Sequence, residues 1–152
     1  MINSSRAKIS KPVPELPPAP EPAVAAPDAA TLFSLAHAAR IDGRRADAVV
    51  QLRELVARFP NEPAGALAWA ELGTLWLEGG EPARAIDAFD TYLASSHGLL
   101  REEVLTSRAQ AYGALGHAAE ERAAWERLLQ EFPNGLTSAR ARARVEALNS
   151  TP

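Results

Sequence analysis

The stretch WAELGTLWLEGGEPARAIDAFDTYLASS, Trp69 to Ser96, contains two amphipathic segments around one break. Before the break, Trp69, Leu72, Gly73 and Trp76 recur at spacings of three and four. After it, Ala85, Phe89 and Tyr92 do the same. That spacing puts each set on one face of an α-helix. The glycine pair Gly79-Gly80 marks a tight turn between them. The segment therefore predicts a helical hairpin.

The same unit lies on both sides. LFSLAHAARIDGRRADAVVQLRELVARFP (Leu32 to Pro60) and LTSRAQAYGALGHAAEERAAWERLLQEFP (Leu105 to Pro133) also place a glycine between two amphipathic helices. Gly43, Gly80 and Gly116 are 37 and 36 residues apart, and the two Phe-Pro-Asn tripeptides, at Phe59 and Phe132, are separated by the sum, 73. Two helices repeated at this period are the signature of a helical solenoid. One pair cannot bury its apolar face alone, whereas stacked copies build a continuous core. Each Phe-Pro then has a role: phenylalanine closes the apolar face of a second helix, and proline, which cannot continue it, ends it. Asn61 is expected to cap the following helix, with Pro63 in its first turn.

The central unit resembles the tetratricopeptide repeat family. Trp69-x-x-Leu72-Gly73-x-x-Trp76, then Ala85, Phe89 and Tyr92, fall at that family's spacing. Ala36, Ala48, Leu52, Leu55 and Pro60 match in the first unit, and Ala109, Tyr112, Trp125, Leu128 and Pro133 in the third. The resemblance implies an all-α, right-handed solenoid of three hairpins at about 29–62, 66–99 and 102–135, with a terminal helix at 136–148. Gly73 and Ala85 would be small because the paired helices cross there. Glu121 stands where a small residue belongs, which moves the expected crossing of the third hairpin to Ala119 or Ala123. Arg140, Arg142 and Arg144 of the last helix are expected to face away from the third hairpin and solubilise the end of the solenoid.

The flanks are simpler. Seven of the twelve prolines lie between Pro12 and Pro27, so residues 1–28 are expected to form a disordered, Pro/Ala-rich spacer. The Pro14–Pro17 pair makes a PxxP, common by accident in such spacers. Asp28 is placed to cap the first helix of a 29–148 domain. The net charge of −3 over 152 residues gives no nucleic-acid footprint. Cysteine is absent, which excludes disulfides and thiolate metal sites. No apolar run reaches the roughly 20 residues of a membrane span.

Catalytic patterns are missing: there is no phosphate-cradling glycine loop after a strand, and His37, His97 and His117 lie in different units. His117 and Glu121 can meet on one helical face, but a metal site needs further ligands. The expectation is a non-enzyme without cofactor or metal. The resemblance implies instead a concave groove lined by the first helix of each hairpin. By register it holds Phe33, His37, Arg40 and Ile41, then Ala70, Glu71, Thr74, Leu77 and Glu78, then Glu103, Thr106, Ser107 and Gln110. A subset of the family clamps a peptide carboxylate with Lys and Asn there. Phe33 with His37, Ala70 with Thr74 and Thr106 with Gln110 occupy those places, so the clamp is absent. The expected partner is an amphipathic segment of another protein with some basic residues. The alternative is self-association through Leu99, Leu100 and Val104. The resemblance extends to bacterial envelope and membrane-anchored regulator domains. It implies a periplasmic setting if the chain is part of an anchored protein, and a cytoplasmic one if Met1 is its natural start.

Overall fold

The computed structural model describes residues 26–95 and 98–150. The expected spacer, up to residue 25, lies outside them, as do Ser96 and His97. Among the described residues all regular structure is helical: α1 (Ala29–Ile41), α2 (Arg45–Arg58), α3 (Pro63–Glu78), α4 (Pro82–Ser95), α5 (Arg101–Ala114), α6 (Ala118–Glu131) and α7 (Ser138–Asn149). Each helix packs on the next, while α3 also touches α1 and α5. The first helices of the three hairpins thus form one layer, and the chain is a solenoid.

The turns explain the glycine period. Gly43, Gly80 and Gly116 have φ of 72°, 76° and 72°, the left-handed region that costs side-chain-bearing residues energy. At each, two reverse hydrogen bonds close the first helix. Arg44 N–H donates to Ala39 O and Gly43 N–H to Arg40 O; Glu81 with Trp76 and Gly80 with Leu77 repeat this, as do His117 with Tyr112 and Gly116 with Gly113. This double closure is the Schellman motif, which satisfies carbonyls a helix end leaves open. Three copies of one local rule set the three hairpins.

The remaining boundaries follow from caps and prolines. Thr31 N–H donates to the Asp28 carboxylate at 2.8 Å, so Asp28 caps α1 as expected. Asn61 does not cap α3: the capping position is Glu62, without a side-chain cap bond, and Pro63 opens the helix. The Phe59 carbonyl accepts from Glu62 N–H at 3.2 Å, and proline itself has no N–H to satisfy, so little is left for Asn61 to do. Phe59 and Phe132 close α2 and α6 by donating back to Leu55 and Leu128. Their rings are half-buried against the core.

The core runs through all three hairpins. Leu32, Leu55, Leu72, Phe89 and Tyr92 fill the first two, and Leu105, Trp125 and Leu128 the third, with Leu93 and Tyr112 touching both parts. Gly73 is buried because a Cβ there would drive into the ring of Phe89. In the third hairpin Glu121 itself occupies the crossing, 4% exposed, while Ala119 and Ala123 are exposed. That corrects the expected shift of the crossing. Gly113 makes the space, since a Cβ on it would stand 3.0 Å from the Glu121 carboxyl carbon.

Candidate partner-binding groove

The layer of α1, α3 and α5 carries the expected groove positions, and packing divides them into three groups. Phe33 is half-buried and, with Ala36, His37, Arg40, Leu52 and Glu71, lines a shallow hollow between α1 and α3. Arg40 crosses from α1 to α3, donating to Glu71 at 2.7 Å and to Glu78 at 3.3 Å. The three charges therefore answer one another first and leave a local net charge of −1. Ile41 at the rim is 73% exposed, and Leu77 is half-buried against the core.

The second group is built in. Thr74 Oγ1 donates to Ala70 O, one turn back, which uses its proton within the helix. Ala70 is buried. Thr106 is only 7% exposed: its hydroxyl lies 2.9 Å from Glu102 O and 3.0 Å from the Thr137 hydroxyl. Glu102 in turn accepts from Thr137 N–H and Oγ1 at 2.9 and 3.1 Å. Thr106 thus ties the entry of α7 to α5. Glu103 is exposed and Gln110 half-buried.

The third group lies beyond Gln110 and is one the sequence reading missed. Gln110 shares a hollow with Glu121, Trp125, Arg140 and Arg144, so α7 extends this end of the surface. Arg144 donates to the Glu121 carboxylate from Nε at 2.6 Å and from a terminal nitrogen at 2.8 Å, and the Trp125 indole N–H adds a third bond at 3.2 Å. These donors, Arg144 foremost, hold the Glu121 carboxyl below its ordinary range against the opposing effect of burial. Arg140 lies over the Trp125 ring at 5.9 Å, and Arg142 donates to the Pro133 carbonyl. All three arginines fold back on the third hairpin rather than away from it. Positions four apart share a helix face, which brings Arg140 and Arg144 together over α6. Their long stems then cover apolar surface while the charge reaches a partner. A carboxylate at a small-residue position was the signal available in the sequence: a buried acid demands a cation nearby.

The self-association patch is smaller than expected. Val104 is buried, Leu100 is half-buried, and only Leu99 is fully exposed. Its partial loss has a plain cause, since Val104 and Leu100 sit at the start of α5 facing the core of the second hairpin. His117 sits at the capping position of α6 without a side-chain cap bond, and the Glu121 carboxylate is taken by Arg144 and Trp125. Among the described residues no group of three or more His, Cys, Asp or Glu could hold a metal ion, and no helix is long and apolar enough to cross a membrane.

Residues 103–135 match the family model of the tetratricopeptide repeat. No curated protein matches the chain significantly in sequence. Solved structures do match in fold. The first such domain of Spaghetti (RPAP3), bound to the HSP90 peptide SRMEEVD, superposes with a TM-score of 0.67 at 18% identity, over 80% of this chain and 94% of that one. The Yersinia enterocolitica type III secretion chaperone SycD, in complex with a peptide of the translocator YopD, gives 0.67 at 18%, over 78% and 89%. MamA gives 0.67 at 21%, over 80% and 66%. Residues 103–135 thus carry the tetratricopeptide repeat, and with the same Schellman-closed hairpin built three times the chain has the fold of the tetratricopeptide-repeat solenoids it superposes on.

Proposed function

We propose that the protein is an interaction module whose α1–α3–α5 face receives a segment of another protein. One observation carries this reading. The hollow beside Phe33 and Leu52 is apolar at its floor and carries the Arg40–Glu71–Glu78 cluster at its edge, with Ile41 exposed nearby. An apolar anchor beside a polar rim is the usual anatomy of a recognition surface. The domains of similar fold solved with HSP90 and translocator peptides support it, as a precedent for peptides on this architecture. The Lys/Asn carboxylate clamp is replaced here by Phe33/His37, Ala70/Thr74 and Thr106/Gln110, and Thr106 is buried. The segment is therefore bound along its length, with a basic side chain drawn to the net negative cluster, rather than by its C-terminal carboxylate. The scaffold is one of interaction rather than catalysis, and the proposed role includes no reaction. The envelope or membrane-anchored setting is a finer part of the proposal that rests on the sequence resemblance.

The structure supplies a clean test. In the triple variant Arg40→Glu, Glu71→Arg, Glu78→Arg the same pairs form with reversed sign, and local charge passes from −1 to +1. Exposed pairs of this kind contribute roughly 0.2–1 kcal/mol each, so the fold is retained while the surface shown to a partner inverts. Affinity capture from the source organism with both proteins, compared by mass spectrometry, should show partners lost by the variant. Identical recoveries refute groove binding. Recovery of the protein's own untagged copies by both would favour self-association.

A further inference from the structure

A second open cleft lies on the other layer. Nine of the thirteen arginines in the described residues pair with a carboxylate: Arg40, Arg44, Arg58, Arg84, Arg101, Arg108, Arg122, Arg127 and Arg144. Of the other four, Arg140 covers Trp125 and Arg142 bonds the Pro133 carbonyl. Arg45 and Arg53 remain, and both line the same open cleft between α2 and the α3–α4 turn. Of the residues that line the α1–α3 hollow, only the buried Leu75 also lines it.

The cleft is chemically two-part. Its floor is Val49, Leu75 and Trp76, with the Arg84 guanidinium stacked 4.5 Å from the Trp76 ring. Its rim carries Asp47 and Glu81, but these are already answered, Asp47 by Arg44 at 2.8 Å and Glu81 by Arg84 at 2.5 Å. Among the lining residues the two carboxylates offset Arg44 and Arg84, which leaves Arg45 and Arg53 as an excess of +2, or +1 with Asp42, the second partner of Arg44 at 2.9 Å just outside the cleft, on a protein whose net charge is −3. The Arg45 guanidinium is seated against the α3–α4 turn, where a Cβ on Gly79 would stand 3.0 Å from it, so it is placed before any ligand arrives. Arg53 lies two turns further along α2, about 12 Å by the rise of a helix.

The geometry points to an acidic segment of a partner protein as the occupant: two carboxylates spaced to meet Arg45 and Arg53, and an apolar side chain between them resting on Val49 and Trp76. Planar guanidinium groups take carboxylates in two-point hydrogen bonds, and desolvation over an apolar floor strengthens them. A phosphorylated segment would offer the same oxygen chemistry. The cleft shares only the buried Leu75 with the groove hollow, and its charge is opposite: the groove favours basic rather than acidic side chains.

The test uses the full chain labelled with nitrogen-15, titrated with the hexapeptide Glu-Asp-Leu-Glu-Glu-Phe, with the analogue Glu-Asp-Leu-phosphoSer-Glu-Phe, and with the counterpart in which every acidic residue is Lys. The acidic peptide should shift the amides of α2 and the Trp76 indole, with an affinity that falls as salt rises. Arg53→Glu, at an exposed position, should weaken it about tenfold, as should Arg45→Glu, whereas Arg122→Glu on α6 should not. Tighter binding of the phosphorylated analogue at the same amides would identify phosphate as the preferred source of the charge. The groove triple variant should bind the acidic peptide like the wild type, which separates this result from the fate of the groove reading. Absence of shifts in α2 at low salt, or equal affinity in Arg53→Glu, overturns the proposal. So does a change of the same signals on Glu15→Gln/Glu21→Gln without peptide, which would mean that the chain's own N-terminal segment fills the cleft.

Discussion

Gly73→Ala sets two effects of known size against each other. Alanine in a helix is favoured over glycine by about 1 kcal/mol, so an exposed site would gain stability. At position 73 the added Cβ would come within 2.4 Å of the ring of Phe89, which is fully buried. Overpacking of a filled core costs about 1–3 kcal/mol, so the net change is a loss of up to roughly 2 kcal/mol. The first hairpin shows the way out, because it carries Ala36 and Leu52 at the equivalent positions. Phe89→Leu alone should cost about 1–1.5 kcal/mol as an imperfect volume swap. In Gly73→Ala/Phe89→Leu the clash is gone and the helix gain returns, so the double variant should lie within about 1 kcal/mol of wild type. The implied coupling is the overpacking itself, roughly 1–3 kcal/mol, which is above the 0.3–0.5 kcal/mol scatter of independent sites. Urea titrations followed by far-UV circular dichroism on the four proteins measure it. Stabilisation by Gly73→Ala, or additive costs, would show that the close approach to the ring does not limit this hairpin.

The turns give a second prediction: Gly43→Ala, Gly80→Ala and Gly116→Ala each add a Cβ to open space, so the cost is conformational alone, about 1–2 kcal/mol apiece and nearly equal. A spread wider than that range in the urea series would point to contacts beyond the backbone. The third concerns acid. Because Arg144, then Trp125, holds the folded Glu121 carboxyl below its unfolded range, its contribution is present above the unfolded value and is lost as pH falls through the folded one. Glu131, held down by Arg101 and then Arg127, acts in the same direction. Stability should therefore fall below about pH 4, and Glu121→Gln should be weaker near neutrality but flatter through the acid window, keeping the smaller decline due to Glu131. Parallel pH profiles of urea midpoints for the two proteins would refute that assignment.

What could be read from the chain itself was whatever depends on neighbours in sequence. Helical spacing, left-handed glycines after each first helix and Phe-Pro at the ends of α2 and α6 act over a few residues, so the hairpins and their period were legible. The repeat then multiplied that local signal, and the stacking followed because one hairpin cannot cover its own apolar face. The small-residue rule at the crossing was also legible at Gly73, since a close approach leaves a mark in side-chain size.

Tertiary structure alone decided where the charges go. Arg40 reaches Glu71 and Glu78, which are 31 and 38 positions away, and Arg144 reaches Glu121 across 23. No periodic pattern encodes such partners, because an arginine with four rotatable bonds can reach several carboxylates and the offset between stacked helices selects one. The same offset buried Thr106 beneath Thr137 and turned the arginines of α7 inward. It also left Arg45 and Arg53 without carboxylates above an apolar floor. Sequence determined the solenoid through short-range backbone and packing rules; the lateral fit of one hairpin on the next determined which of its side chains remain free to meet another molecule.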